Sequence, residues 1–105
     1  MQKAIREKLE AAGWKTGDAR DFLGLTDAEV AFVEMKLALA ADLRARRLER
    51  HLNQTQVARI IGSSQSRVAK MEAADPSVSV DLLVRSLLKL GADRRDVAKA
   101  VAASV

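Results

Sequence analysis

Cysteine is absent from the 105 residues, which excludes disulfides, thiolate metal sites and a cysteine nucleophile together. The single histidine, His51, rules out a multi-histidine metal centre within one chain. Aromatic residues are scarce, with one Trp, two Phe and no Tyr, so any core is thin and built from aliphatic side chains. No apolar run approaches the roughly 18 residues that a membrane span requires. The first residues carry charge every few positions and lack the apolar block of a signal peptide, so the expected location is cytoplasmic. Strand signals are nearly missing: only Val78–Val80 alternates, over three residues. Leu, Ile, Val and Phe still make up about a quarter of the chain, above the level of roughly a fifth below which disorder is the default.

Charge is present in excess and unevenly placed. The net charge is +4 and the sequence pI about 9.9. Residues 1–20 are net positive and residues 21–42 net negative. Between residues 43 and 71 stand Arg44, Arg46, Arg47, Arg50, Arg59, Arg67 and Lys70 against Glu49 alone. A charge run by itself describes a solvated helix face. A basic window coinciding with a nucleic-acid motif is an electrostatic footprint.

Helix punctuation is frequent. Ile5, Leu9 and Ala12 form a narrow stripe that Gly13 would close. Thr26-x-x-Glu29 has the form of a capping box, with Leu25 and Val30 placed as a staple. The helix it opens is expected to run to about His51 on a stripe of Val30, Val33, Leu37 and Ala41, widened by Phe32, Leu39 and Leu43. Asn53 caps the next helix, with Val57, Ala58 and Ile61 inward and Gly62 as its stop. Ser63 or Ser64 caps a further short helix. Asp75-Pro76 breaks the chain, Ser79 caps a helix over 80–90, and Asp93-x-x-Asp96 opens a last one. The Leu-rich helix after Pro76 has more apolar positions than one face needs, which implies full burial or a dimer seam. The expected fold is all-α, with five to seven helices. Residues 1–25 are expected to form an arm, and residues 26–105 the main domain.

The segment from Gln54 to Ala73 has the spacing of a helix-turn-helix. Ala58 is small where two helices cross, Gly62 permits the sharp reversal, and Val57, Ile61, Val68 and Met71 lock the pair. With Gln65 set at zero and about 100° per residue, Val68 falls at about 300° and Met71 at about 240°. Ser66 then lies at about 100°, Ala69 at about 40° and Lys70 at about 140°. Gln65, Ser66, Ala69 and Lys70 therefore share the outer face, and Arg67 flanks it. A Gln can pair bidentately with adenine, Lys can reach guanine or phosphate, and the small residues let a helix sink into a major groove.

These residues resemble the xenobiotic-response-element helix-turn-helix family, which includes phage Cro and related repressors. The resemblance rests on Leu52-Asn53-Gln54-Thr55-Gln56-Val57-Ala58 and on the run from Gly62 to Glu72. It implies that Gln54 touches phosphate and Gln65 reads a base. This chain departs from the family where Ser63 replaces an aliphatic residue and Ala73-Ala74 replaces the usual Asn-Gly. With the charge pattern, the expected base contacts are Gln65, Ser66, Lys70, Arg67 and Ala69. The expected phosphate contacts are Gln54, Ser64, Arg44, Arg47 and Arg50.

Phe22-Leu23-Gly24-Leu25-Thr26 leading into a long helix and then this motif is similar to HigA-type antitoxins of type II toxin–antitoxin modules. That likeness implies a repressor of its own operon which also binds a RelE-like ribonuclease toxin. The alternative is a stand-alone or phage-type repressor with no toxin. Ile5, Leu9, Trp14 and Phe22 are the candidate partner-binding residues. Trp14 keeps two readings, a partner anchor or a cap on the domain's own core. The expected partners are double-stranded operator DNA and a second copy of the chain. No cofactor or metal is expected, and no catalytic residue: the serines of the motif have no base beside them, and Asp27 and Glu29 are accounted for as helix-capping acids.

Overall fold

Thr26 opens the first helix, α1 (Asp27–Glu49), of the computed structural model, which describes residues 24–103. The Thr26 hydroxyl accepts the Glu29 N–H at 3.1 Å and donates to the Glu29 carboxylate at 3.2 Å. Only half of the expected capping box therefore forms. The helix also stops two residues short of the expected His51, because His51 turns left-handed at φ 57°. Its N–H bonds to Leu48 O at 3.0 Å and the Leu52 N–H to Arg47 O at 3.1 Å. Those two bonds satisfy carbonyls that the helix end would otherwise leave open.

Four short helices follow: α2 (Gln54–Ile61), α3 (Gln65–Glu72), α4 (Val80–Lys89) and α5 (Arg94–Ala102). Each starts at a side chain that accepts the N–H three residues on, from Asn53, Ser64, Ser79 and Asp93 respectively. At Asn53 and Asp93 the reciprocal bond from the third helical residue is also made. Each such cap is worth about 1 kcal/mol, which matters for helices of eight to ten residues that are too short to stand alone.

α1 runs along the middle and packs on α3, α4 and α5, while α2 packs on α3 and α4. The core lies where these meet. Leu39, Leu43, Val57, Val68, Met71, Leu83 and Leu87 are fully enclosed there. α4 accounts for most of its surplus leucine by burial: Leu83, Leu87 and Leu90 are inside, Leu82 is half-buried, and Leu88 remains 44% exposed. On α1 the expectation is corrected. The core face is Leu39, Ala40 and Leu43, whereas the stripe of Val30, Val33, Leu37 and Ala41 lies round the helix and outside the core cluster. No described helix is long and apolar enough to cross a membrane.

Candidate nucleic-acid interface

Gly62 stands between α2 and α3 at φ 71°, a left-handed conformation in which a Cβ would be strained. The reversal is tied by the Ser63 N–H, which donates to Ala58 O at 2.7 Å. Lys89 of α4 adds a second tie, its Nζ donating to Ile61 O at 3.3 Å. Of the two candidate serines, Ser64 is the cap: its Oγ accepts the Arg67 N–H at 3.2 Å. Ser63 is half-buried, and its Oγ is enclosed without a hydrogen-bond partner. The aliphatic residue usual at that position would leave no such group.

From this start α3 presents the face that the helical phase assigns to it. Gln65, Ser66, Arg67 and Lys70 are exposed and Ala69 is half-buried, while Val68 and Met71 point into the core. Beside this face is a notch of about 260 Å³ lined by Ser64, Ser66, Arg67, Lys70, Ser77 and Val78. Ser77 belongs to the turn after α3, where its hydroxyl and N–H both donate to Asp75 Oδ1, at 2.7 and 2.9 Å. Those bonds, the hydroxyl's first, hold the Asp75 carboxyl below the usual carboxylate range. In the sequence, Asp75-Pro76 reads only as a breaker and Ser77 goes unmarked. An Asp whose side chain bonds two residues onward is a turn signal that could have found it.

Ala73-Ala74 closes α3 in a left-handed turn. Ala74 takes φ 52°, and the Asp75 N–H bonds to Lys70 O at 3.0 Å, closing α3 as a glycine would. Lys36 of α1 fastens the next carbonyl, its Nζ donating to Asp75 O at 3.0 Å.

The exposed amide of Gln65 stands at the end of a connected set of polar groups. Its Nε2 donates to Gln54 Oε1 at 2.7 Å, and Gln54 Nε2 donates to Glu72 Oε1 at 3.3 Å. Glu72 in turn receives two bonds from Arg47, from Nε at 2.6 Å and Nη2 at 3.0 Å. The Arg47 side chain is 13% exposed and that of Glu72 6%. The hydrogen bond to Glu72 raises the Arg47 value further above its ordinary one. A paired, bidentate arrangement is what permits charges to sit this deep.

Arg47, expected at a phosphate, is thus turned inward, with Nη1 also donating to Leu52 O at 3.1 Å. Arg44 is exposed and shares a groove with Ala41, Ala45, Leu48 and Glu72. Arg50 is exposed, and its guanidinium lies against Gly91, with Nη2 3.0 Å from where a Cβ would stand. Arg50 is therefore placed at the α4–α5 junction and not beside α3. Arg46 pairs with Asp42 at 2.8 Å and approaches Asp96 at 3.7 Å. Glu72 was missed as an organising residue, since nothing in the sequence links it to an arginine 25 positions away. Ile5, Leu9, Trp14 and Phe22 lie outside the described residues.

A family model described as helix-turn-helix matches residues 43–100, from the last turns of α1 into α5. No curated protein and no solved structure matches the chain.

Proposed function

Because the chain belongs to the helix-turn-helix family of DNA-binding regulators, we propose that it represses transcription as a homodimer whose α3 enters the major groove of an operator. Gln65, Ser66 and Lys70 meet base edges, Ala69 lets the helix approach closely, and Arg67 works from the rim. Gln54, Ser64 and Arg44 hold phosphates, and Arg50 contributes from the far end of α1. Arg47 acts through Glu72, fixing Gln54 and with it Gln65. The observation that carries this reading is the set of hydrogen bonds that brings one exposed glutamine amide, already oriented, to the first turn of α3. Two such helices, about 34 Å apart in a dimer, would meet successive turns of a pseudo-palindromic site.

The test is fluorescence anisotropy with the duplex upstream of the chain's own coding sequence and a scrambled duplex, across a salt series. Binding to its own site should be tighter by about a thousandfold or more and fall steeply with salt. Arg44→Ala should weaken both duplexes alike and lower the log–log salt slope by about one unit. Equal, weak binding to both duplexes in the unmodified protein would remove the autoregulatory reading.

The finer reading is an autoregulating antitoxin whose arm, residues 1–25 with Ile5, Leu9, Trp14 and Phe22, engages a RelE-like ribonuclease. It is favoured by the run Phe22-Leu23-Gly24-Leu25-Thr26 entering α1. Co-expression with the product of the adjacent gene tests it. Loss of neutralisation on deleting residues 1–25 supports the assignment, and intact neutralisation refutes it.

A further inference from the structure

α3 is anchored in two ways that differ in kind. Val68 and Met71 hold its inner face by apolar packing, which is non-directional: it resists lifting and does not fix a tilt. Hydrogen bonds are directional, and two of them reach the turns at either end of α3 from other helices. Lys89 of α4 donates from Nζ to Ile61 O at 3.3 Å, and Lys36 of α1 donates from Nζ to Asp75 O at 3.0 Å. Ile61 is the last residue of α2, just ahead of the turn into Gln65, and Asp75 lies just past Glu72. The donors stand 28 and 39 positions along the chain from their acceptors. α3 is therefore slung between α4 at its entry and α1 at its exit.

Both ties set an ammonium on a neutral carbonyl, a charge-assisted bond roughly twice as strong as a neutral one. Ile61 O is among the last carbonyls of α2, which lack partners within that helix and lie at the negative end of its dipole. Asp75 O belongs to the turn after α3, where the Asp75 N–H already bonds to Lys70 O. Lys36 is the sole basic residue between positions 21 and 42, so its charge stands apart from the basic run at 43–71. We infer that Lys36 and Lys89 are positioning residues of α3: they set its tilt against the rest of the domain, and so where Gln65 and Lys70 fall on base edges. The inference rests on the DNA-reading role proposed above. A recognition constellation has to be held within about 0.5 Å of its productive geometry. Losing either tie therefore costs discrimination between sequences and leaves phosphate neutralisation alone.

Lys36→Met and Lys89→Met keep the apolar stem and remove the donor, while Lys36→Arg and Lys89→Arg supply another. In the free full chain, amide hydrogen exchange read by NMR should quicken about tenfold at Asp75 in Lys36→Met and at Ser63 in Lys89→Met. The Val97 amide in α5 should not change, and the arginine variants should exchange like the unmodified protein. On DNA, each methionine variant should bind its own upstream duplex about tenfold more weakly. Binding to the scrambled duplex and the salt slope should stay as they were. A slope lower by about one unit would make the lysine a phosphate contact and overturn the proposal. So would unchanged exchange at both turns, or faster exchange with discrimination intact, the mark of a tie that only stabilises. A lack of preference in the unmodified protein is a different failure: it removes the DNA-reading role itself, and the positioning role falls with it.

Discussion

The two faces of α3 are made from the same eight residues and obey different rules. Inward, Val68 and Met71 are fully buried and Glu72 is nearly so. Outward, Gln65, Ser66, Arg67 and Lys70 are exposed, with few bonds that hold the fold. Glu72 breaks the apolar pattern of the inner face because it connects that face, through Gln54, to the outer one. Stability and the proposed recognition are thus separated by the 3.6-residue period and joined through one carboxylate.

The largest expected effect tests that junction. Arg47→Ala strands the Glu72 carboxylate in the interior and should cost about 3–5 kcal/mol in chemical denaturation. Replacing both partners, Arg47→Met with Glu72→Leu, should recover most of that stability while still weakening discrimination between duplexes. Full recovery of both would show that the faces are independent. On the outer face, Gln65→Ala should cost about 1–3 kcal/mol on the preferred duplex and leave the unfolding midpoint in place. A midpoint that falls with it would break the separation. Ser63→Ala removes the unpartnered hydroxyl at the turn and should raise stability by about 1 kcal/mol. Ala74→Gly relieves a left-handed Cβ at the other end of α3 and should add roughly 0.5–1 kcal/mol, read by thermal melting.

The smallest effect concerns pH, far from α3. The Asp93 N–H bonded to Asp96 holds the Asp96 carboxyl below its ordinary value. Its folded value lies below its unfolded one, so the contribution is complete at neutral pH and is lost as pH falls through the folded value. Asp96→Asn should flatten that part of the acid limb in a pH series of melting temperatures.

Much of this is legible in the sequence. Asn53, Ser79, Asp93 and Gly62 announce helix ends because their side chains, or the lack of one, act locally. Val57, Ala58, Ile61, Val68 and Met71 announce an inner face because short amphipathic helices offer one choice. α1 offers two apolar stripes, and its own sequence holds nothing to say which one the distant α4 and α5 will cover. Arg47 reads like any other member of a basic run, since its partner is a tertiary neighbour. Ala74 is invisible as a left-handed residue, because alanine carries no signal for positive φ. Its course was set by the closing bonds at the end of α3.

The pair at the foot of the glutamine chain also has a directional consequence. A guanidinium can only donate and a carboxylate can only accept. Gln54 must therefore turn its amino group to Glu72 and its carbonyl to Gln65, as the bonds at 3.3 and 2.7 Å record. Gln65 must then turn its own amino group toward Gln54, leaving its carbonyl and one remaining N–H to look outward. An adenine edge offers a donor at N6 and an acceptor at N7, the complement of that pair. One carboxylate, held in place by Arg47, thus selects the orientation of two amides in series. With Glu72→Gln the chain could run in either sense, and the same glutamine tip would offer two opposite patterns. On the proposed reading, such a protein would keep its grip on the phosphates and lose its means of telling one base from another.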